Sequence, residues 1–291
     1  MKRLLMIGSI FASCCWLNAQ HADVLKSDAI IQEGKMQYLK AAELYEKANV
    51  SYGLEQKVDT FCLFKAGQNY CRAKQFDKAV LPLEEAYGMN YPEPDLFLSL
   101  ADAYGGLKKF DKAETILEEG KSRFAEKEEE FNKKMGYLFY NSGQYDKAVT
   151  ALELAIAQSP QNVTFLYLHG SSLERLKQYP EAIQSFEKVL LLKPNHKKAT
   201  KKLGVIYFRQ TDYLYEKETK RYTSMKNPTR VDYHNSTKKL EAISKGYEKA
   251  LPQLEKSHEI SPSDKAIISC LSVAYRRLKM TEKADRMKAL L

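Results

Sequence analysis

Seven alanines stand at a nearly fixed interval along the chain: Ala41, Ala79, Ala113, Ala148, Ala182, Ala250 and Ala284. The successive gaps are 38, 34, 35, 34, 68 and 34 residues, so the long one is a double step. A period near 34 constrains the fold to a stack of helix–turn–helix repeats, each burying its apolar face against its neighbours. The functional question then becomes what such a stack holds rather than which group does chemistry.

Other positions keep the same phase. With the ladder alanine as position 20, repeats start at Ala22, Thr60, Pro94, Glu129, Val163, Lys197 and Lys265. Three residues before each alanine come Tyr38, Phe76, Phe110, Tyr145, Tyr179, Tyr247 and Thr281, all aromatic but the last. Twelve before it, in the first five repeats, come Ala29, Gly67, Ala101, Gly136 and Gly170. Gly204 takes that place in the sixth repeat and Ser272 in the seventh. Two helices cross closely only where side chains are tiny, so this pattern predicts a first-helix Gly or Ala against the second-helix alanine, with aromatics filling the space beside it. Pro160, Pro194 and Pro262 each stop a second helix.

These residues resemble tetratricopeptide repeats, as in Met135-Gly136-Tyr137-Leu138-Phe139 followed by Tyr145-Asp146-Lys147-Ala148, and in Leu203-Gly204-Val205-Ile206-Tyr207. The resemblance covers residues 22–291. It implies an all-α fold, a right-handed α-solenoid of stacked repeats near 22–55, 60–93, 94–127, 129–162, 163–196, 197–264 and 265–291. It weakens in repeat one, where Asp28 and Gln32 replace the usual Leu and Tyr, and at the acidic joint Ser122–Glu130.

The double step has two readings. A degenerate extra repeat would put Glu216 at the ladder position and Thr237-Lys238 where Leu-Gly belongs, which breaks the close contact. The favoured reading is a 34-residue insertion in repeat six that forms a helical hairpin. Its first helix would run from Lys197 to about Met225 and turn at Asn227-Pro228, and the second would return from about Val231 to Ile260. Tyr213, Leu214 and Tyr215 are expected to zip its base against Leu240, Ile243 and Tyr247, below a polar tip.

The start of the chain reads as a signal peptide over residues 1–19. Lys2 and Arg3 precede the apolar run Leu4–Phe11, and Leu17-Asn18-Ala19 before Gln20 is a small-residue cleavage site. This predicts a periplasmic or secreted protein. The alternative uses Phe11-Ala12-Ser13-Cys14 as a lipoprotein box, with Cys14 lipidated and membrane contact following from that lipid. Cleavage after Ala19 leaves Cys62, Cys71 and Cys270, an odd number, which indicates no disulfide framework.

The whole chain carries a formal charge of +9. Residues 197–245 hold thirteen Lys or Arg against five Asp or Glu, a net +8, so this segment concentrates the excess. A basic focus of this kind suits an acidic protein partner, an anionic envelope polymer or a membrane surface; a solvated face that keeps the hairpin soluble is the bland reading. No nucleic-acid motif is present, and nucleic acid is not an expected partner of an exported chain.

By the same resemblance, first-helix positions 2, 5, 9, 12 and 13 line a concave groove. The candidates are Lys133, Tyr137, Tyr140 and Asn141 in repeat four, then Thr164, Tyr167, Ser171, Glu174 and Arg175 in repeat five. Repeat six adds Lys198, Lys201, Val205, Phe208 and Arg209, and repeat seven Arg276 and Arg277. Tyr and Arg dominate interface hot spots, so an aromatic floor with basic edges suits a protein or peptide partner of acidic character. Tyr137 and Tyr167 could equally pack between repeats. The carboxylate clamp of some family members needs an asparagine that the pairs Lys133-Tyr137 and Lys201-Val205 lack. No two of the five histidines have metal-ligand spacing, and there is no nucleophile elbow or phosphate loop, so no enzyme and no cofactor are expected.

Overall fold

The computed structural model describes residues 21–53 and 58–291. The expected signal peptide, its cleavage site and the Cys14 motif lie outside the described residues, as does the end of the 22–55 repeat. The described residues form α-helices and one 3-10 turn, with no strand among them. The fold is an all-α solenoid of helix pairs.

Contacts divide the described residues into two compact units, one up to residue 155 and one over residues 156–291. The N-terminal unit holds α1 (helical over residues 21–34), α2 (Tyr38–Gly53), α3 (Thr60–Arg72), α4 (Phe76–Gly88), α5 (Pro94–Gly106), α6 (Phe110–Arg123) and α7 (Glu128–Ser142), and α8 (Tyr145–Gln158) closes it. The C-terminal unit holds α9 (Val163–Arg175), α10 (Tyr179–Leu192), α11 (Lys197–Thr223), α12 (Arg230–Ile260), α13 (Lys265–Arg277) and α14 (Thr281–Lys288).

The two helices of a repeat start by different devices. Four first helices carry side-chain caps: Asp59 accepts from the Cys62 N–H, Asn162 from Thr164 and Phe165, His196 from Ala199, and Asp264 from Ala266 and Ile267, whereas Glu93 and Lys127 before α5 and α7 make no such bond. Outside repeat six, the described caps of second helices make no such bond. These helices follow a tight turn whose residue five before the ladder alanine sits in the left-handed region: Met36, Lys74, Lys108, Gly143, Lys177 and Lys279, with φ between 58 and 80°. Repeat six has no such residue, because the insertion replaces its turn.

Every ladder alanine is fully buried. The predicted contact of glycine with that alanine is present at Gly67, where a Cβ would lie 3.1 Å from the Ala79 carbonyl oxygen, but a larger side chain stands closer. A Cβ built on Gly67 would lie 2.3 Å from Leu83, one on Gly136 2.7 Å from Leu152, and one on Gly170 3.0 Å from Phe186. The close neighbour is thus the large residue one turn after the alanine. Tyr45, Leu83, Leu117, Leu152, Phe186 and Leu254 hold this place, all fully buried. The alanine makes room for the helix backbone and the glycine makes room for this knob.

The hairpin is formed by α11 and α12, which join at the turn 224–229. Thr229 and Asp232 cap the return helix reciprocally in a capping box. The base is packed by Phe208, Tyr247, Leu251 and Leu254 together with Ile267 and Leu271 of α13. Tyr213 and Leu214 do not zip it as expected; they are 67% and 50% exposed. The inward phase of α11 is set by Thr211, Tyr215, Glu218 and Tyr222, three or four residues apart, which turns Tyr213 and Leu214 outward. Midway along the hairpin the seam is ionic. The Glu218 side chain is 2% exposed and bonds to Arg221 at 2.6 Å, Lys239 at 2.7 Å and Ser236 at 3.1 Å. Glu216, the ladder residue of the rejected extra repeat, is instead exposed and paired with Arg277.

Candidate functional site

In the C-terminal unit, α9, α11 and α13 supply most of the wall of a cleft of about 690 Å³. Eight predicted groove residues meet there: Tyr167, Glu174, Arg175, Lys198, Lys201, Val205, Phe208 and Arg209. Val205, Ala266 and Cys270 complete an apolar floor. Helical spacing explains the convergence, because Lys198, Lys201, Val205, Phe208 and Arg209 fall on one face of α11 at steps of three, four and seven.

The floor is held from behind. The Tyr167 ring lies 5.9 Å from Phe186 and 5.2 Å from His196, and His196 itself caps α11 through Nδ1. Phe208 is buried and tilts against Tyr247 at 5.7 Å. Tyr167 therefore packs within the repeats and also faces the cleft. Burial pushes the Cys270 thiol up, which disfavours the thiolate at this floor position.

The rim separates into paired and unpaired cations. Lys202 bonds to Glu174, and Lys201 to Asp264, whose carboxyl is held below its ordinary value chiefly by that lysine. Lys177, Lys198 and Arg209 line the same cleft and make no ion pair among the described residues. The paired lysines fix the wall, and the other three leave the mouth positive. An aromatic floor below fixed and unpaired cations can bury an apolar side chain while pairing with carboxylates beside it.

The repeat-four candidates lie in the N-terminal unit. Tyr137 lines a separate cavity of about 390 Å³ with Arg72, Phe76, Asp102, Lys134 and Asn141. Lys133 pairs with Glu129 one turn earlier, and the Tyr140 ring packs edge-on against Tyr145 at 6.1 Å. Arg276 pairs with Asp285 at 3.4 Å, and Arg277 turns to the hairpin base rather than to the cleft. The acidic joint is tied down by lysines, with Lys121–Glu128 and Lys127–Glu130 both at 2.9 Å. Among the described residues no group of His, Cys, Asp and Glu is placed to hold a metal ion.

Sequence reasoning missed Lys177, Tyr179, Lys202, Ala266 and Cys270 as cleft residues. Tyr179 carried a signal, as a ladder aromatic, but was read only as filler. Lys177 reaches the cleft from the left-handed turn, which helix periodicity does not cover.

A family model for the tetratricopeptide repeat matches residues 133–197, and one for YpiA-like, C-terminal tetratricopeptide repeats matches 94–162. The chain is a tetratricopeptide-repeat protein. Solved structures share the fold. The MamA MSR-1 structure is 21% identical over 70% of this chain and 97% of its own, with a TM-score of 0.53. A MamA AMB-1 structure is 22% identical over 70% of this chain and 92% of its own, also at 0.53. YrrB, described as a tetratricopeptide-repeat protein with an unusual peptide-binding site, is 19% identical over 60% of this chain and 88% of its own, at 0.51. No curated protein is significantly similar to the sequence. Tetratricopeptide repeats make the chain a protein-interaction scaffold, and its α9–α11–α13 cleft is the groove of repeats five to seven.

Proposed function

We infer that this scaffold works outside the cytoplasm and holds an acidic peptide segment of a partner protein in the α9–α11–α13 cleft. One observation carries the reading: Lys177, Lys198 and Arg209 make no ion pair among the described residues and line a cleft whose floor includes Tyr167 and Phe208. A peptide with an apolar anchor flanked by Asp or Glu would bury the anchor on the rings and neutralise the rim. The peptide-binding site named for the similarly folded YrrB is a second support. Export rests on the basic start, the apolar run and the Ala19–Gln20 junction.

The test is affinity purification from cell-envelope extract with the wild type, Lys198→Glu/Arg209→Glu and Tyr167→Ala. Both variants should lose the captured partners by about tenfold or more, the cost of roughly 1.4 kcal/mol at a hot spot. An unchanged partner list in both would sink the cleft assignment. Export is checked separately by the mass of the purified chain, which should begin at Gln20; a chain retaining Met1, or one beginning at a lipid-modified Cys14, contradicts this cleavage.

A further inference from the structure

The hairpin arm, residues 213–246, distributes its charge unevenly between paired and unpaired groups. All four of its carboxylates are engaged. Glu216 binds Arg277 at 2.6 Å, Glu218 binds Arg221 and Lys239, Asp232 accepts from the Thr229 N–H at 2.9 Å, and Glu241 binds Lys279 at 3.0 Å. By contrast Lys217, Lys220, Lys226, Arg230, Lys238 and Lys245 are all exposed and make no ion pair among the described residues. The acids are spent on holding the arm together and pinning its base, so the surface it offers is cationic.

At the far end this cationic surface meets exposed apolar side chains. Val231 is 66% exposed and Tyr233 59%, and the Tyr233 ring is steadied by Tyr222 across the hairpin at 6.2 Å. Lys220, Lys226 and Arg230 precede them in sequence, and the tip's one carboxylate, Asp232, is locked in the capping box. The tip lines neither of the two cavities described above. A projecting end that carries exposed cations together with one tyrosine and one valine offers no walls for a peptide, but it fits a flat anionic surface. Tyrosine sits favourably at the headgroup level, and lysine stems can extend along an apolar layer while their ammonium groups reach phosphate.

We propose that the tip of the arm docks on an anionic lipid bilayer. Val231 and Tyr233 enter the headgroup region, and Lys220, Lys226 and Arg230 face lipid phosphates. This docking is independent of the cleft and of any lipid on the chain. Each basic residue near an anionic leaflet strengthens partitioning by about fivefold, so the three together give a preference over neutral lipid on the order of a hundredfold. The preference should weaken as added salt screens it.

The experiment is vesicle flotation of the full chain. It compares pure phosphatidylcholine with vesicles holding about 30% phosphatidylglycerol, enough to give a negative surface potential. The variants are Lys226→Glu/Arg230→Glu, Val231→Ser/Tyr233→Ser and, higher on the arm, Lys238→Glu/Lys245→Glu. A glutamate at 230 falls in the first turn of α12, where negative charge favours the helix, so the first variant does not threaten folding. Wild type should bind only the anionic vesicles. The Lys226/Arg230 reversal should cut that binding by about 25-fold or more, the Val231/Tyr233 variant should weaken it several-fold, and the higher pair should matter least. Binding that survives the Lys226/Arg230 reversal, equal binding to neutral vesicles, or no binding at all overturns the proposal. Binding to soluble polyglutamate but not to vesicles would also overturn it, making the occupant an acidic polypeptide.

Discussion

Tyr207 of α11 donates its hydroxyl to the Glu187 carboxylate of α10 at 2.8 Å, joining repeat six to repeat five. The same bond recurs in register. Tyr70 donates to Glu46, Tyr104 to Glu84 and Tyr275 to Glu255, always from nine residues before a ladder alanine to five after the preceding one. A lysine of the same repeat lies over three of these rings, with Lys78, Lys112 and Lys283 at 5.2 to 5.8 Å from the centroids. These four repeats thus grip the preceding one through a tyrosine hydroxyl on an acid, and in three of them a cation lies over the ring.

Tyr207→Phe keeps the ring and removes this bond, which should cost about 1 kcal/mol. Burial, with the Glu187 bond and charge next, pushes the Tyr207 hydroxyl up to about 12. A folded value above the unfolded one of about 10 means this contribution is intact below pH 10 and is lost as pH rises from about 10 to about 12. Alkaline unfolding of Tyr207→Phe should therefore be less steep across that window than that of wild type. Parallel curves would remove the bond from the account of stability.

Gly67 has no room for a methyl group, since its Cβ would stand 2.3 Å from Leu83 Cγ and 3.1 Å from the Ala79 carbonyl oxygen. Gly67→Ala should destabilise by about 1–3 kcal/mol through overpacking. Leu83→Ala opens a cavity and should cost about 2–5 kcal/mol. The double variant should be less destabilised than the sum, because the new methyl occupies space that Leu83 has vacated. Strict additivity in denaturant melts would show that the two side chains do not compete for one space.

The repeat fold was legible because its determinants are small residues at fixed spacing, and tertiary context does not override a pattern repeated through the chain. The knob one turn after each alanine was missed because Tyr45, Leu83, Leu117, Leu152, Phe186 and Leu254 share size and burial but not residue type. The cleft was legible along α11, where one helix face supplies five of its residues, and not at Lys177, which comes from a left-handed turn. The seam of the arm misled for a different reason. Tyr213 and Leu214 are apolar and were assigned inward on that ground, whereas the true phase is marked by Glu218, a buried acid that composition alone reads as surface.

Glu218 sets the acid sensitivity of the arm. Its carboxyl is pushed down to about 2, chiefly by the Arg221 hydrogen bond, with Lys239 next. A depressed folded value means the contribution is present above the ordinary carboxylate range and is lost as pH falls from about 4.5 to about 2. Hydrogen exchange in residues 215–240 should therefore rise on acidification before that of the repeats. Glu218→Gln should speed exchange there at neutral pH on the order of tenfold, by removing charge-assisted bonds, and should flatten the acid response. Exchange that is unchanged in the arm and faster elsewhere would place the sensitive group outside the seam.

Arg277 joins the last repeat to the base of the arm. Its guanidinium lies 3.9 Å from the centroid of the Tyr215 ring and 2.6 Å from the Glu216 carboxylate, so one planar group stacks on the first residue and pairs with the next. Lysine cannot do both, because an ammonium has no plane to lay on the ring. Arg277→Lys should therefore retain the ion pair, a surface contact of about 0–1 kcal/mol, and lose most of the stacking. In a double-mutant cycle, Arg277→Ala and Tyr215→Leu should couple by about 0.5–1 kcal/mol, read from the opening of α11 and α13 by hydrogen exchange. The pairing has a mechanical consequence. Tyr215 sits where the arm leaves the repeats, so releasing Arg277 should let residues 213–246 swing while the cleft below keeps its walls. Binding at the cleft should then be unchanged in Arg277→Ala, with the arm alone exchanging faster. Additive effects of the two substitutions, or a loss of cleft binding, would show that Arg277 supports the repeats rather than the arm.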